Sequence, residues 1–108
     1  GFCYPGKSSG GDMPPRPECA PLWHPPLRAL LPNIRLTLAI GSYAIAYYLP
    51  QARGQTLTVT VQNFRAGPEN VFPLPHPSPR NRRWLRDRPW FERNVVPALR
   101  RRFNACFV

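Results

Sequence analysis

Residues 34–42 read Ile-Arg-Leu-Thr-Leu-Ala-Ile-Gly-Ser, and this stretch determines the fold class. Its first seven residues are mostly apolar or branched, which favours a buried strand, and the glycine ends that strand. Ser42 can then cap a short helix that runs through Tyr48 and ends before Pro50. Strand, glycine turn and helix in this order form half of a βαβ unit, so we predict an α/β protein.

The segments that follow add a second strand and one ambiguous element. Val71 to Pro75 predicts a short strand that leads directly into His76. Residues 56–61, Thr-Leu-Thr-Val-Thr-Val, alternate as a strand does, yet Thr56 is equally suited to cap a helix. The residues alone leave both interpretations of this segment open.

Residues on either side of this α/β core predict a loop and two helices. Residues 1–18 are rich in glycine and proline, so they predict a loop without regular structure. A helix is predicted from Pro17 to a stop at Pro32-Asn33, and the alternative is two short turns divided at Pro25 and Pro26. A terminal helix is predicted from Trp90 to Phe103, bent at Pro97.

The aromatic side chains are interpreted mainly as packing groups. Trp23, Trp84 and Trp90 are expected in the core or at its rim rather than as platforms for stacked bases. Residues 43–48 predict a buried helix face, and His24, between a tryptophan and a proline, predicts a packed, half-buried side chain.

Charge is the most unusual property of the composition. The formal net charge is +10, fourteen of the fifteen basic residues are arginines, and nine arginines lie between Arg80 and Arg102. Planar guanidinium groups bind phosphate through paired hydrogen bonds. Charge alone therefore leaves a solvated basic face and a nucleic-acid partner as near-equal interpretations, with a membrane surface as a distant third.

Length and motifs exclude several classes of protein. The 108 residues are 43% hydrophobic, too many for a disordered polyelectrolyte, and they allow one small domain or a piece of a larger one. The best apolar run, Leu36 to Ile40, is far too short to span a bilayer, and residues 1–16 lack a secretory signal. Because the chain opens without methionine, we expect a processed chain or the back half of a longer one. Glycine-rich phosphate loops, serine elbows and zinc-protease motifs are absent.

Three cysteines cannot all pair within one chain. Cys3 and Cys19 lie sixteen residues apart in proline-rich sequence, a spacing too wide for one zinc knuckle, and His24 is the only other ligand type nearby. Two free thiols are the simplest interpretation, with a disulfide as the alternative. Cys106 is interpreted as incidental.

The strongest candidate for chemistry is His76-Pro-Ser-Pro-Arg-Asn81, called here the histidine loop (residues 76–81). Prolines at 75, 77 and 79 fix alternate φ angles just past a strand, where ligands bind in open α/β sheets. The imidazole of His76 can donate to a developing oxyanion, Ser78 and its backbone amide suit a phosphate oxygen, and Arg80 suits DNA. The alternative is a proline-rich turn with a chance histidine.

This loop resembles a motif in the carboxyl-terminal half of the uracil-DNA glycosylase superfamily. The resemblance rests on Pro73 to Asn81 in order with Trp84 and with Pro89-Trp-Phe-Glu92. It extends to residues 1–6, 11–12, 14–21 and 40–44, so it covers nearly the whole chain.

The resemblance implies a fold, a reaction and a partner. The fold is a three-layer αβα sandwich with a mostly parallel sheet, of which residues 1–108 form the carboxyl-terminal portion of a single domain. It also implies a helix at 56–63. The implied function is a DNA repair enzyme that flips uracil out of single- or double-stranded DNA and hydrolyses its N-glycosidic bond. We expect a monomeric, cytoplasmic protein with no membrane partner.

Site residues follow from the same resemblance. His76 is the implied catalytic residue, which stabilises negative charge on the uracil O2 as the base departs. The remaining implied contacts are to DNA: Ser78 pinches a flanking phosphate, Arg80 enters the gap left by the flipped base, and the set is completed by Pro79, Asn81, Arg82 and Arg83.

The resemblance also bears on cofactor and activity. Cys3 and Cys19 resemble the second pair of ligands of the 4Fe-4S cluster in iron–sulfur members. The first active-site motif of the family, a glycine- and proline-containing loop that positions water, is absent from these residues. We therefore expect the chain to be inactive alone, and the alternative function is a non-catalytic basic nucleic-acid-binding module.

Overall fold

A computed structural model describes residues 5–107, which divide into two compact units after Ile34. The first unit begins with a small antiparallel hairpin of β1 (Lys7–Ser8) and β2 (Gly11–Asp12). The prediction of a loop without regular structure is wrong for these residues. A two-residue turn joins the strands, and Gly11 adopts a φ of 114°, a value that favours glycine.

Helix α1 (Cys19–Ala29) follows in the first unit as one uninterrupted helix. It starts two residues later and ends earlier than the sequence predicts, and the division at Pro25 and Pro26 is wrong. The fixed φ of proline is compatible with a helix, although each ring removes one backbone donor and crowds the carbonyl four residues earlier. Before α1, a backbone hydrogen bond and the guanidinium of Arg16 hold the pKa of the exposed Glu18 carboxyl below its usual value.

The second unit is built on a parallel strand pair, as a βαβ unit requires. Strands β3 (Thr37–Ile40) and β4 (Val71–Leu74) pair from Thr37 opposite Val71 to Ile40 opposite Leu74. Helices α2 (Ser42–Tyr48) and α3 (Leu57–Gln62) lie in the connection between them. The predicted α/β class and both predicted strands are confirmed, although β3 is shorter than its apolar run.

Gly41 joins β3 to α2 and caps the helix in place of Ser42. Its φ of 89° lies in the left-handed region, which reverses the chain between strand and helix. Its backbone N–H donates to the carbonyl of Leu74 at 2.9 Å, so the turn lies beside the end of β4. Ser42 is the first residue of α2 and makes no side-chain cap, which corrects the predicted capping role.

Helix α3 settles the ambiguous segment as helical. The Thr56 hydroxyl accepts a hydrogen bond from the backbone N–H of Val59 at 3.2 Å, which is an N-cap. Leu57 and Val61, four residues apart, both face the core, and Val61 is fully buried. A strand would place Leu57, Val59 and Val61 on one face, yet Val59 is exposed while the adjacent residues Thr60 and Val61 are both buried, which is helical spacing. Packing therefore overrides the strand propensity.

The core lies on both sides of β4. On one side Phe72 is fully buried and stacks on Phe64 with ring centroids 4.9 Å apart, beside Val95. On the other side Val71 packs with Ala39 and with residues of α2. In α2 the prediction of a buried face holds for Ile45, which is buried, and fails for Tyr43, which is exposed.

The chain ends in α4 (Arg82–Asp87), a π-helical turn (Phe91–Val95) and α5 (Val96–Ala105). The predicted terminal helix is present, and the bend at Pro97 takes the form of this wider turn. The backbone N–H of Val96 bonds five residues back to Phe91. Since proline lacks an N–H and its ring crowds the carbonyl four residues earlier, a wider turn relieves the clash. Helix α4 was not predicted. Within residues 5–107, every helix is too short or too polar to cross a membrane.

Candidate functional site

The histidine loop follows directly from the carboxyl end of β4. Pro75 is buried, and the chain then emerges so that His76 and Pro77 are exposed. Because Gly41 bonds to Leu74, the start of α2 lies at this same edge of the strand pair. The fold therefore carries the loop to the position where α/β proteins bind ligands.

Two hydrogen bonds converge on the main-chain carbonyl of His76. One comes from the backbone N–H of Ser78 at 2.9 Å, and the other comes from the side-chain amide of Asn81. Together with the prolines, these bonds close the loop onto itself and fix the backbone of His76.

Ser78 organises the second half of the loop. Its hydroxyl oxygen accepts from the backbone N–H of Arg80 at 3.2 Å, and its carbonyl accepts from the backbone N–H of Asn81 at 2.9 Å. These bonds start a 3₁₀ turn (Pro79–Asn81) that continues into α4. The backbone N–H of Ser78, predicted to bind a phosphate, donates to the carbonyl of His76 in this structure, and its phosphate role stays a prediction. The hydroxyl proton remains a donor for a ligand.

The imidazole of His76 is exposed and has no hydrogen-bond partner within residues 5–107. Both ring nitrogens are therefore available to a ligand that approaches the end of β4. The structure thus fixes the backbone that carries the ring and leaves both ring nitrogens to bond a ligand.

Arginines continue from the loop along α4. Arg80 lies in the 3₁₀ turn, while Arg82 and Arg83 are the first two residues of the helix, and all three are exposed. Arg83 approaches Asp87 at 3.7 Å, a surface pair that contributes little. Arg80 and Arg82 take part in no ion pair of the described residues, so the start of α4 carries uncompensated positive charge.

Trp84 anchors α4 to the rest of the second unit. Its indole N–H donates to the hydroxyl of Thr58 in α3 at 2.9 Å. Its ring meets Trp90 and Phe91 edge-on, at centroid distances of 5.8 and 5.5 Å. The interpretation of Trp84 and Trp90 as packing residues is confirmed, whereas Trp23 is exposed. The contacts of Trp84 fix α4, which carries Arg82 and Arg83.

The cysteine prediction falls partly outside the described residues. Cys19 is the first residue of α1 and forms a disulfide, so the interpretation of free thiols is wrong for this residue; Cys3 lies outside the described residues. In the part of the chain from 5 to 107, no three histidine, cysteine or acidic side chains converge as metal ligands. His24 is half-buried, as its sequence context predicts. The cluster site stays a prediction.

Sequence reasoning assigned Asn81 to DNA contacts and missed its bond to His76. The available signal was local, because asparagine side chains often bond to backbone groups in nearby turns. The bond from Trp84 to Thr58 carried no such signal, since its partners lie 26 residues apart.

Residues 2–100 match the family model described as the Uracil DNA glycosylase superfamily, and the chain belongs to that superfamily. The match covers most of the 108 residues, and it includes the histidine loop, α4 and Cys19. Membership supports a glycosylase-type hydrolase that acts on DNA.

Proposed function

We propose that this chain carries part of the active site of a base-excision repair glycosylase, which flips uracil out of DNA and hydrolyses its N-glycosidic bond. One observation carries the proposal: a free imidazole on a backbone fixed by two hydrogen bonds, at the carboxyl end of β4. His76 lies within residues 2–100, which match the family model.

The chemistry assigned to His76 is stabilisation of the leaving base. As the bond from C1′ to N1 breaks, its electron pair moves onto the uracil ring. A hydrogen bond from the imidazole to O2 lowers the energy of that anion. Water forms the new bond to C1′ and loses a proton. The group that positions this water belongs to the motif absent from these 108 residues. His76 therefore stabilises the leaving base and does not activate the water.

The rest of the site binds DNA. The Ser78 hydroxyl donates to a phosphate beside the flipped nucleotide, and Arg80 fills the gap in the stack. Pro79 shapes the turn between them, while Arg82 and Arg83 bind the backbone phosphates. One N–H of the Asn81 side-chain amide donates to the carbonyl of His76, which leaves the second N–H and the oxygen for DNA.

The finer description of the fold belongs to the same proposal. Apolar packing on both sides of β4 supports a three-layer αβα sandwich with a mostly parallel sheet. The order of the matching motifs supports residues 1–108 as the carboxyl-terminal portion of one such domain. We include a monomeric state and a cytoplasmic location in the proposal.

Cys3 and Cys19 are proposed as two ligands of a 4Fe-4S cluster. Such a cluster takes four thiolates, so the donors present here fit only half of the site. No step of the reaction is assigned to it. Iron analysis of a longer form that supplies the other two cysteines, purified anaerobically, tests this part, with Cys19→Ser in that form as the comparison. If the longer form is iron-free, the proposal is wrong.

The experiment for the enzyme measures excision of uracil from single- and double-stranded oligonucleotides. It compares the 108-residue chain with a longer form that supplies the missing glycine- and proline-containing motif. We expect both to bind DNA and the longer form alone to excise uracil. If the longer form binds uracil-containing DNA and leaves it intact, the enzyme proposal fails and the non-catalytic binding module replaces it.

A further inference from the structure

Three arginines converge at the amino-terminal ends of the strand pair. Arg35 lies just before β3, and Arg101 and Arg102 lie near the end of α5. They line a depression of about 450 Å³, called here the basic depression. Its wall also includes Glu69, Asn70 and Cys106. The proposed function makes no use of these residues.

Charge within the basic depression is mainly positive. Among residues 5–107, Glu69 is the single carboxylate of its lining, and it forms no ion pair with the three guanidinium groups. The carboxyl-terminal end of α5 adds about half a negative charge from the aligned peptide dipoles. Three full positive charges therefore face one full and one partial negative charge, which favours an anion.

Two of the guanidinium groups are held in place by backbone carbonyls. Arg35 donates from Nη1 to the carbonyl of Cys106 at 2.6 Å, and Arg102 donates from Nη1 to the carbonyl of Glu69 at 3.2 Å. Each guanidinium has five N–H donors, so these bonds leave most of them for a ligand.

Aromatic packing fixes Arg102 further. Its guanidinium carbon lies 5.0 Å from the ring centroid of Phe72 and 5.5 Å from that of Phe64, and both rings belong to the core. A cation over an aromatic face is attracted by the ring quadrupole. Binding an anion here would cost little side-chain entropy, because the arginine is already ordered.

We propose that the basic depression binds a phosphate group, supplied either by a free phosphate compound or by a nucleic-acid backbone. Guanidinium groups match phosphate oxygens through paired hydrogen bonds, and the depression is larger than one phosphate requires. Leu36 and Ala105 add an apolar part to its wall, which suits the ester portion of such a ligand.

The basic depression is separate from the histidine loop. The residues before β3 and β4 line the depression, whereas the loop follows the carboxyl end of β4. Parallel strands of this length separate the two ends by roughly 13 Å. The inference therefore does not depend on the glycosylase proposal.

Cys106 provides a direct readout, because it lines the basic depression and its thiol bonds to the carbonyl of Arg102. The rate of its alkylation by iodoacetamide is measured by peptide mass spectrometry on the 108-residue chain. The probes are inorganic pyrophosphate and a single-stranded oligonucleotide of about ten nucleotides, long enough for several backbone contacts. Potassium chloride matches the ionic strength. A bound phosphate should slow the alkylation.

The variant R35A/R101A removes two guanidinium groups from the depression. The probe concentration for half-protection should rise about tenfold, as expected for lost charge-assisted hydrogen bonds. R53A/R100A loses the same charge outside the depression and should keep the original value. Protection is compared with and without probe within each variant, so a change in intrinsic thiol reactivity does not affect the result.

The two probes distinguish the sources of phosphate. Protection by pyrophosphate that persists in R80A/R82A supports a site for free phosphate compounds. Protection by the oligonucleotide alone, lost in R35A/R101A, supports a nucleic-acid backbone. If neither probe protects Cys106, or if R35A/R101A and R53A/R100A lose protection equally, the inference is wrong.

Discussion

The side-chain amide of Asn81 donates a hydrogen bond to the main-chain carbonyl of His76, five residues earlier in the chain. The same carbonyl accepts from the backbone N–H of Ser78. The bond from Asn81 ties the end of the histidine loop to its beginning. We infer that Asn81 is a positioning residue, because it fixes the backbone of His76 while the imidazole stays free to meet a base.

Replacing Asn81 should separate excision from DNA binding. In N81A the loop loses one of its two closing bonds, so the imidazole is directed less accurately. We expect excision by the longer form to fall about tenfold or more, since small displacements of a catalytic group are costly. Dissociation constants for uracil-containing DNA, measured by fluorescence anisotropy, should rise by only about threefold, because the free part of the Asn81 amide contributes at most one neutral hydrogen bond to DNA.

Asn104, exposed on α5, provides the matched control. N104A removes the same side chain away from the loop and should leave both measurements unchanged. A proportional loss of excision and affinity in N81A would contradict a positioning role and favour a direct contact with DNA.

The bond between Trp84 and Thr58 should stabilise the second unit. T58V removes the acceptor hydroxyl at nearly constant volume, and W84F removes the indole donor. Chemical denaturation should show a loss of about 1 kcal/mol for T58V, the usual net contribution of one hydrogen bond. W84F should cost more, because it also reduces the edge-on contacts with Trp90 and Phe91.

A double-mutant cycle isolates this pair. The combined variant should be less destabilised than the sum of the single variants by about 0.5–1.5 kcal/mol. Strict additivity would mean that the bond between Thr58 and Trp84 contributes nothing to stability.

The two unpaired arginines should account for part of the salt dependence of DNA binding. Each exposed guanidinium that neutralises a phosphate releases counterions, so R80A and R82A should each lower the slope of log K against log salt by about one. Titrations at several salt concentrations measure this slope. R53A, outside the loop and α4, should leave it unchanged, and equal slopes in all variants would exclude Arg80 and Arg82 from the interface.

Local sequence predicted the strand pair well. Val71 to Leu74 and Thr37 to Ile40 are short and strongly apolar, and a glycine turn with a helix between them restricts the connection to a parallel pair. Residues 57–62 were ambiguous because their propensity favours a strand, while the cap of Thr56 and the burial of adjacent Thr60 and Val61 favour a helix. Resemblance to known proteins, rather than periodicity, pointed to the helix.

The candidate site was also predicted only in part, because some of its contacts depend on the folded chain. His76 and Ser78 stand out because alternating prolines surround them in sequence. The engaged amide of Ser78 and the contact between Trp84 and Thr58 depend on the folded chain, and no pattern of residue types encodes them. Arg35 joins Arg102 only because the ends of β3 and α5 meet, so composition gave no sign of the basic depression.

The central claim is that His76 stabilises the departing base, and one substitution tests it most directly. H76A in the longer form should reduce single-turnover excision of uracil by about 10²- to 10³-fold, the effect of losing one oxyanion donor. H24A, which replaces the other histidine of the 108 residues, is the control and should retain full activity.

The same preparations are then compared for DNA affinity. We predict that H76A binds uracil-containing DNA as tightly as the unaltered longer form while its excision rate falls by that factor. Excision that survives in H76A, or a loss of affinity equal to the loss of rate, would contradict the role assigned to His76.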